Sequence, residues 1–150
     1  PTEMPDDIGV DIRERAWEYG TTTGRARRIG WFDAVVGKYS CKINGFTSAV
    51  LTRLDVLDGI PKVRICVGYN INDEIVKHFP SNTTLFDQCK PIYEDMDGWD
   101  KPTAGVTKLS QLPKEAIRYV NRLEELIECP IRLISTGPNR EETIHIEPLY

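Results

Sequence analysis

Apolar residues recur at three- and four-residue spacing in three stretches of the chain. Ile8, Ile12, Ala16 and Tyr19 predict a helix over 6–19. Asp6 or Asp7 can cap it, Arg13 and Arg15 fall toward its end, and Gly20 stops it. Phe32, Val35, Val36, Tyr39 and Ile43 predict a second helix over 32–43, stopped by Asn44-Gly45. Ala116, Val120, Leu123 and Ile127 line a third over 112–128, with Ser110 as a candidate cap, Pro113 in its first turn and Cys129-Pro130 closing it. Between the helices the pattern changes to short apolar runs. Residues 48–54 and 62–71 read as strands, the second with Val63, Ile65, Val67 and Tyr69 on one face. A turn over 70–73 leads to a hairpin partner over 74–79. Residues 80–100 read as irregular, with a short strand over 91–94 and a turn over 95–99. Strands over 131–134 and 143–146 flank the turn Ser135-Thr136-Gly137-Pro138. The fold class is therefore mixed α/β, a small sheet packed with helices.

The 150 residues suffice for one domain with a real core. A net charge of −4 argues against a general nucleic-acid or anionic-membrane binder. No apolar run reaches membrane-span length and no signal peptide is visible. The chain opens Pro1-Thr2-Glu3-Met4-Pro5 rather than on methionine, and reads as a piece of a longer protein. Cys41, Cys66, Cys89 and Cys129 form no CxxC pair, and neither His78 nor His145 lies near one in sequence, which disfavours zinc. Cys66 sits in an apolar run, so the expectation is free, reduced thiols in a cytoplasmic protein.

Against this acidic background one segment concentrates donors: Gly20-Thr21-Thr22-Thr23-Gly24-Arg25-Ala26-Arg27-Arg28. Threonine hydroxyls donate, glycines let backbone N–H groups approach a ligand, and arginines offer forks for carboxylate or phosphate. No helix or strand needs that mixture, and it reads as an anion-binding loop. The plainer reading is a solvated turn. Glycine and three hydroxyls do not pack, so the loop is expected to lack order without ligand. Two further polar clusters adjoin apolar elements: the corner Arg53-Leu54-Asp55 and the turn Ser135-Thr136-Gly137. Loops at strand ends are where α/β proteins keep their sites.

In this order the clusters resemble the adenylosuccinate synthetase family, GTP-dependent ligases of AMP synthesis. Gly20 to Trp31 resembles that family's aspartate-binding loop. Leu51-Thr52-Arg53-Leu54-Asp55-Val56-Leu57-Asp58-Gly59 resembles its guanine corner. Arg122-Leu123-Glu124-Glu125-Leu126, Pro130 and Ile134-Ser135-Thr136-Gly137-Pro138 resemble its C-terminal signature. The resemblance runs from about Gly9 to Ile146 and implies that residues 1–150 are the C-terminal substrate- and nucleotide-binding domain of a larger P-loop-like ligase. Such ligases join IMP to L-aspartate. GTP, with Mg2+, phosphorylates the IMP 6-oxygen, and the aspartate amine then displaces phosphate.

The resemblance implies that Thr21, Thr22, Thr23, Gly24, Arg25, Ala26 and Arg27 hold aspartate. Arg25 also reaches IMP, while Arg27, Arg53, Leu54, Asp55, Ser135, Thr136 and Gly137 face GTP. Asp55 accepts the guanine N1–H and N2–H bonds, and the Ser135–Gly137 turn offers backbone N–H to the guanine oxygen. It further implies that the catalytic residues and the Mg2+ site lie in an N-terminal part outside this chain, that the fragment is inactive alone, and that the complete enzyme is a cytoplasmic homodimer. No G-x-x-x-x-G-K-[ST] occurs here, and neither histidine is assigned a catalytic role. Two positions depart from the family: Arg53, where lysine is commoner, and Ala26, where proline or arginine is. Two other functions fit the residues alone. One is a stand-alone nucleotide- or anion-binding module; the other is an interaction domain whose loop arginines meet an acidic partner.

Overall fold

The computed structural model describes residues 1–80 and 82–146. Ser81, within the stretch expected to be irregular, and residues 147–150 of the expected domain lie outside them. The class is mixed α/β, built on two small sheets rather than one. Helix α1 (Asp7–Ala16) begins where the Asp6 carboxylate accepts from Gly9 N, as its sequence predicts. It ends three residues before the expected Tyr19. Trp17 adopts left-handed backbone (φ 53°), and the Trp17 and Glu18 N–H groups return to Glu14 O and Arg13 O.

The second expected helix loses its first residues to a strand. β1 (Phe32–Asp33) lies parallel to β3 (Lys62–Ile71), with Phe32 opposite Ile65. Asp33 then caps α2 (Ala34–Asn44), its Oδ1 accepting from Val35 N and Val36 N. The expected strand over 48–54 shrinks to β2 (Ala49–Leu51), because Arg53 turns left-handed (φ 57°) and Leu54–Leu57 forms a 3-10 turn.

β3 has the expected bounds and is the spine of the first sheet. β4 (Glu74–Val76) and β1 share one edge of it, and β5 (Lys90–Asp97) covers the other. The β3–β5 register shifts between Cys66 and Gly68, and the shift divides the face expected to be continuous. Val63 and Ile65 enter the main core, whereas Cys66, Tyr69 and Ile71 pack in a second cluster with Val35 and Cys89. Strand β5 replaces the predicted turn over 95–99 as far as Asp97, and a short α3 (Thr83–Asp87) stands inside the stretch read as irregular.

Helix α4 (Lys114–Ile127) buries Ala116, Val120, Leu123 and Ile127 as predicted. Ser110 does not cap it. It belongs to a 3-10 turn, Leu109–Gln111, and Pro113 fills the N-cap with no side-chain bond. In the second sheet β2 runs parallel to β6 (Ile131–Ser135), which pairs antiparallel with β7 (Thr143–His145). β2 and β6 therefore deliver Arg53 and Thr136 to the same end of that sheet.

Candidate functional site

After the α1 cap the chain makes a narrow loop. Tyr19 and Ala26 form an antiparallel bridge, Arg27 N donates to Glu18 O (2.9 Å), and Gly20 N donates to Arg25 O (2.8 Å). Gly24 N returns to Gly20 O (2.8 Å), and Gly24 supplies the positive φ of 65° that the tip needs. Backbone pairing thus orders a stem that side-chain packing would not. Thr21, Thr22 and Thr23 stand exposed at the tip. Arg25 N lies 3.4 Å from Thr23 Oγ1, and the Arg25 guanidinium has no partner among the described residues. Arg27 pairs with Glu18 (2.8 Å) and Arg28 with Glu3 (2.6 Å). Ala26 gives the loop only its backbone bridge. A cleft of about 530 Å3 opens along the stem, lined by Trp17, Gly20, Thr21, Gly24 and Arg27 among others.

Arg53 joins this loop to the other two clusters. Its backbone N–H donates to Ser135 Oγ (2.9 Å). Its guanidinium forks onto Asp55, with Nε to Oδ1 at 3.0 Å and Nη2 to Oδ2 at 2.9 Å. The same group reaches the last turn of α1, with Nη1 to Ala16 O at 3.4 Å and Nη2 to Arg15 O at 3.2 Å. One side chain therefore satisfies two terminal helix carbonyls and orients a carboxylate. The pair is largely withdrawn from water, at 26% and 13% side-chain exposure. The bond to Asp55 moves the guanidinium pKa further upward, so Arg53 is always charged. A left-handed backbone at a non-glycine residue is a strain held by its surroundings. Leu54 places its own side chain in the core, leaving only backbone to the site.

In the Ser135–Gly137 turn the hydrogen bonds are mostly spent within the protein. Thr136 is fully buried: its N–H donates to Glu142 O (2.9 Å), its hydroxyl to Val106 O (2.8 Å), and its carbonyl accepts from Gly105 N (3.1 Å). The Gly137 N–H has no partner among the described residues. A Cβ at Gly137 would run into the Glu142 carboxylate, which explains glycine there.

Asp58, in the corner motif, is occupied elsewhere. It accepts from Trp99 Nε1 (2.6 Å), Thr103 N (2.8 Å) and Thr103 Oγ1 (2.8 Å), pinning residues 99–103 beneath the corner. Among the described residues the Asp55 carboxylate accepts only from Arg53. Two residues escape the sequence reading. Trp17 lines the cleft, but the helical pattern running on to Tyr19 hides the break. Glu18 partners Arg27, and nothing in the sequence marks it. Among the described residues no group of three or more His, Cys, Asp or Glu is placed to hold a metal ion, and no helix is long and apolar enough to cross a membrane.

Comparison with known proteins adds to this geometry. The adenylosuccinate synthetase family model matches residues 1–144. An adenylosuccinate synthetase of Heliobacterium modesticaldum is 50% identical over 146 residues, 97% of this chain and 34% of that protein. One from Dehalococcoides mccartyi is 52% identical over 145 residues, again 97% and 34%. The structure of a fully ligated adenylosuccinate synthetase from Plasmodium falciparum superposes with a TM-score of 0.91 at 34% identity, covering 96% of this chain and 35% of that one. The chain spans about a third of the length of each relative.

Proposed function

The chain belongs to the adenylosuccinate synthetase family, and from that membership we propose that it supplies the aspartate, IMP and guanine contacts of a GTP-dependent ligase. The complete reaction consumes IMP, L-aspartate and GTP and yields adenylosuccinate, GDP and phosphate. The observation that carries the proposal is the Arg53 node, which gathers the α1 end, Asp55 and Ser135 into one corner.

Within that reading Arg25 is the loop cation without a side-chain partner among the described residues. Its unpaired fork suits an aspartate carboxylate, with the Thr21–Thr23 hydroxyls and the loop backbone supplying further donors. Arg25 also reaches IMP. Arg27, balanced by Glu18, faces GTP. Asp55 reads guanine: an ionised carboxylate has more acceptor sites than Arg53 fills and can take both N1–H and N2–H. Arg53 holds that carboxylate in place or swings to stack on the purine. Gly137 N–H is the donor of its turn that remains for the guanine oxygen.

Mg2+ would neutralise developing phosphate charge, but the described residues form no cluster for it. It belongs in our proposal to the part of the ligase outside residues 1–150, with the catalytic residues. The complete ligase is proposed to be a cytoplasmic homodimer.

Asp55→Asn in the complete ligase tests the reading. The amide can donate to the oxygen that xanthine carries in place of the guanine amino group. Use of GTP is expected to fall and use of XTP to rise, since a buried acceptor lost or mismatched costs roughly 1–3 kcal/mol. Unchanged GTP kinetics with no XTP use would refute Asp55 as the guanine reader.

A further inference from the structure

Trp17 stands where a helix most often carries glycine. Its left-handed backbone (φ 53°, ψ 44°) is a strain for an indole-bearing residue. The side chain is 75% exposed, while Trp31 and Trp99 are buried. Its one aromatic neighbour among the described residues is Tyr19, with ring centroids 5.3 Å apart and planes tilted by 56°. Backbone strain and an exposed aromatic both oppose stability. They coincide at a cleft. The indole shares the 530 Å3 opening with Thr21, Gly24 and Arg27. The preceding residue, Ala16, accepts from Arg53, which places Trp17 next in sequence to the Arg53–Asp55 corner. A flat apolar surface beside a guanidinium and hydroxyl donors fits a planar heterocycle that carries a polar, anionic tail.

From this placement we propose that Trp17 is a nucleotide-stacking residue, packing on the base or ribose face of a bound purine nucleotide at the mouth of the loop cleft. The proposal rests on the nucleotide-binding reading above and adds a contact that neither Asp55 nor the loop arginines provide. GTP and IMP share the required chemistry, and kinetics separate them.

In the complete ligase, Trp17→Ala is expected to raise KM for GTP or for IMP about tenfold. The nucleotide whose KM moves is the one that stacks. The kcat and the aspartate KM should stay within twofold, and Trp17→Phe should retain most of the affinity. Trp17→Gly should raise the same KM while raising the thermal midpoint, because glycine relieves the left-handed strain. Both nucleotide KM values within twofold of wild type in Trp17→Ala would overturn the proposal, as would a fall in kcat alone. Asp55→Asn assayed alongside separates the two ideas. If Asp55→Asn loses GTP use while Trp17→Ala changes nothing, stacking alone fails. If Asp55→Asn keeps GTP use, the guanine reading of Asp55 fails, and stacking is then decided by the Trp17→Ala KM values alone.

Discussion

Arg25 and Arg27 occupy one loop in different electrostatic states. Arg25 has no side-chain partner among the described residues, whereas Arg27 is balanced by Glu18 at 2.8 Å. On the proposed reading, Arg25→Leu in the complete ligase removes a free cation and should raise the aspartate KM about 30-fold or more, since truncating a buried charge contact costs roughly 2–5 kcal/mol. Arg27→Leu should raise the aspartate KM by less, because Glu18 already balances Arg27, and should raise the GTP KM as well. Steady-state kinetics with each substrate varied would check the contrast, and equal effects of the two variants would remove the division of labour. Arg53→Lys should be non-conservative. A lysine cannot fork onto Asp55 while also meeting two helix carbonyls, so the thermal midpoint should drop and the GTP KM rise. The residue types of this corner were legible in sequence because Thr, Gly, Arg and Asp in dense clusters have few structural uses. Their commitments were not. Nothing along the chain marks Thr136 as wholly occupied by Val106, Gly105 and Glu142, or Asp58 as the acceptor for Trp99 and Thr103, because those partners, the nearby Glu142 apart, lie far off in sequence.

Helix α4 carries the strongest amphipathic pattern in the chain, and its buried face agrees with that pattern. Its partially exposed Arg122 does more than solvate the opposite side: it forks onto Glu94 of β5 with Nε to Oε1 at 2.8 Å and Nη2 to Oε2 at 2.9 Å. That strand was only half legible. Its alternation is broken by acidic residues that pair across to β3 and α4, so period-two reading stops early. The ends of α1 and β2 were missed for another reason, because both are set by left-handed residues, Trp17 and Arg53, whose conformations the rest of the molecule imposes. The Glu94–Arg122 pair makes a pH prediction. The bond to Arg122 lowers the Glu94 carboxyl pKa in the folded protein. The stabilisation is therefore fully present above the unfolded glutamate value of about 4.3 and is lost as pH falls through the lower folded value. Both groups are about one-third exposed, so the pair contributes about 0.5–1 kcal/mol. Arg122→Met should lower the unfolding free energy at pH 7 by about that amount, and the difference from wild type should shrink below pH ~4. A difference that does not change with pH would show that the arginine stem, rather than its charge, is what α4 uses.

The whole chain exposes 9481 Å2, whereas a compact monomer of 17.1 kDa exposes about 7,800 Å2. The excess is accompanied by apolar residues around one region. Among the described residues β2 pairs only with β6, leaving its other edge open, and Val50 on it is 54% exposed. Phe46 and Ile43 are exposed nearby in sequence, and an apolar cleft of about 350 Å3 lined by Cys41, Leu123, Ile127 and Ile131 opens beside β2. An open apolar edge in solution favours self-association, so the isolated chain should show concentration-dependent assembly that Val50→Lys weakens. The candidate site lies at the far end of this sheet, after Leu51 and Ser135, and in the proposed reading it holds the binding groups. In that reading Arg25, Arg53, Asp55 and Gly137 position carboxylate and purine. In the proposed division of the ligase, phosphoryl transfer to the IMP 6-oxygen draws its metal and its catalytic groups from the remaining two-thirds of the protein. Positioning accelerates a reaction only when the reacting groups are both present. The isolated 150-residue chain, incubated with IMP, L-aspartate, GTP and Mg2+, should therefore release no phosphate and form no adenylosuccinate, even at concentrations where its fold is intact by circular dichroism. Phosphate release above background from a clean preparation would mean that the chain carries its own transfer chemistry. The assignment of residues 1–150 as a binding portion would then have to be abandoned, while membership of the family would stand.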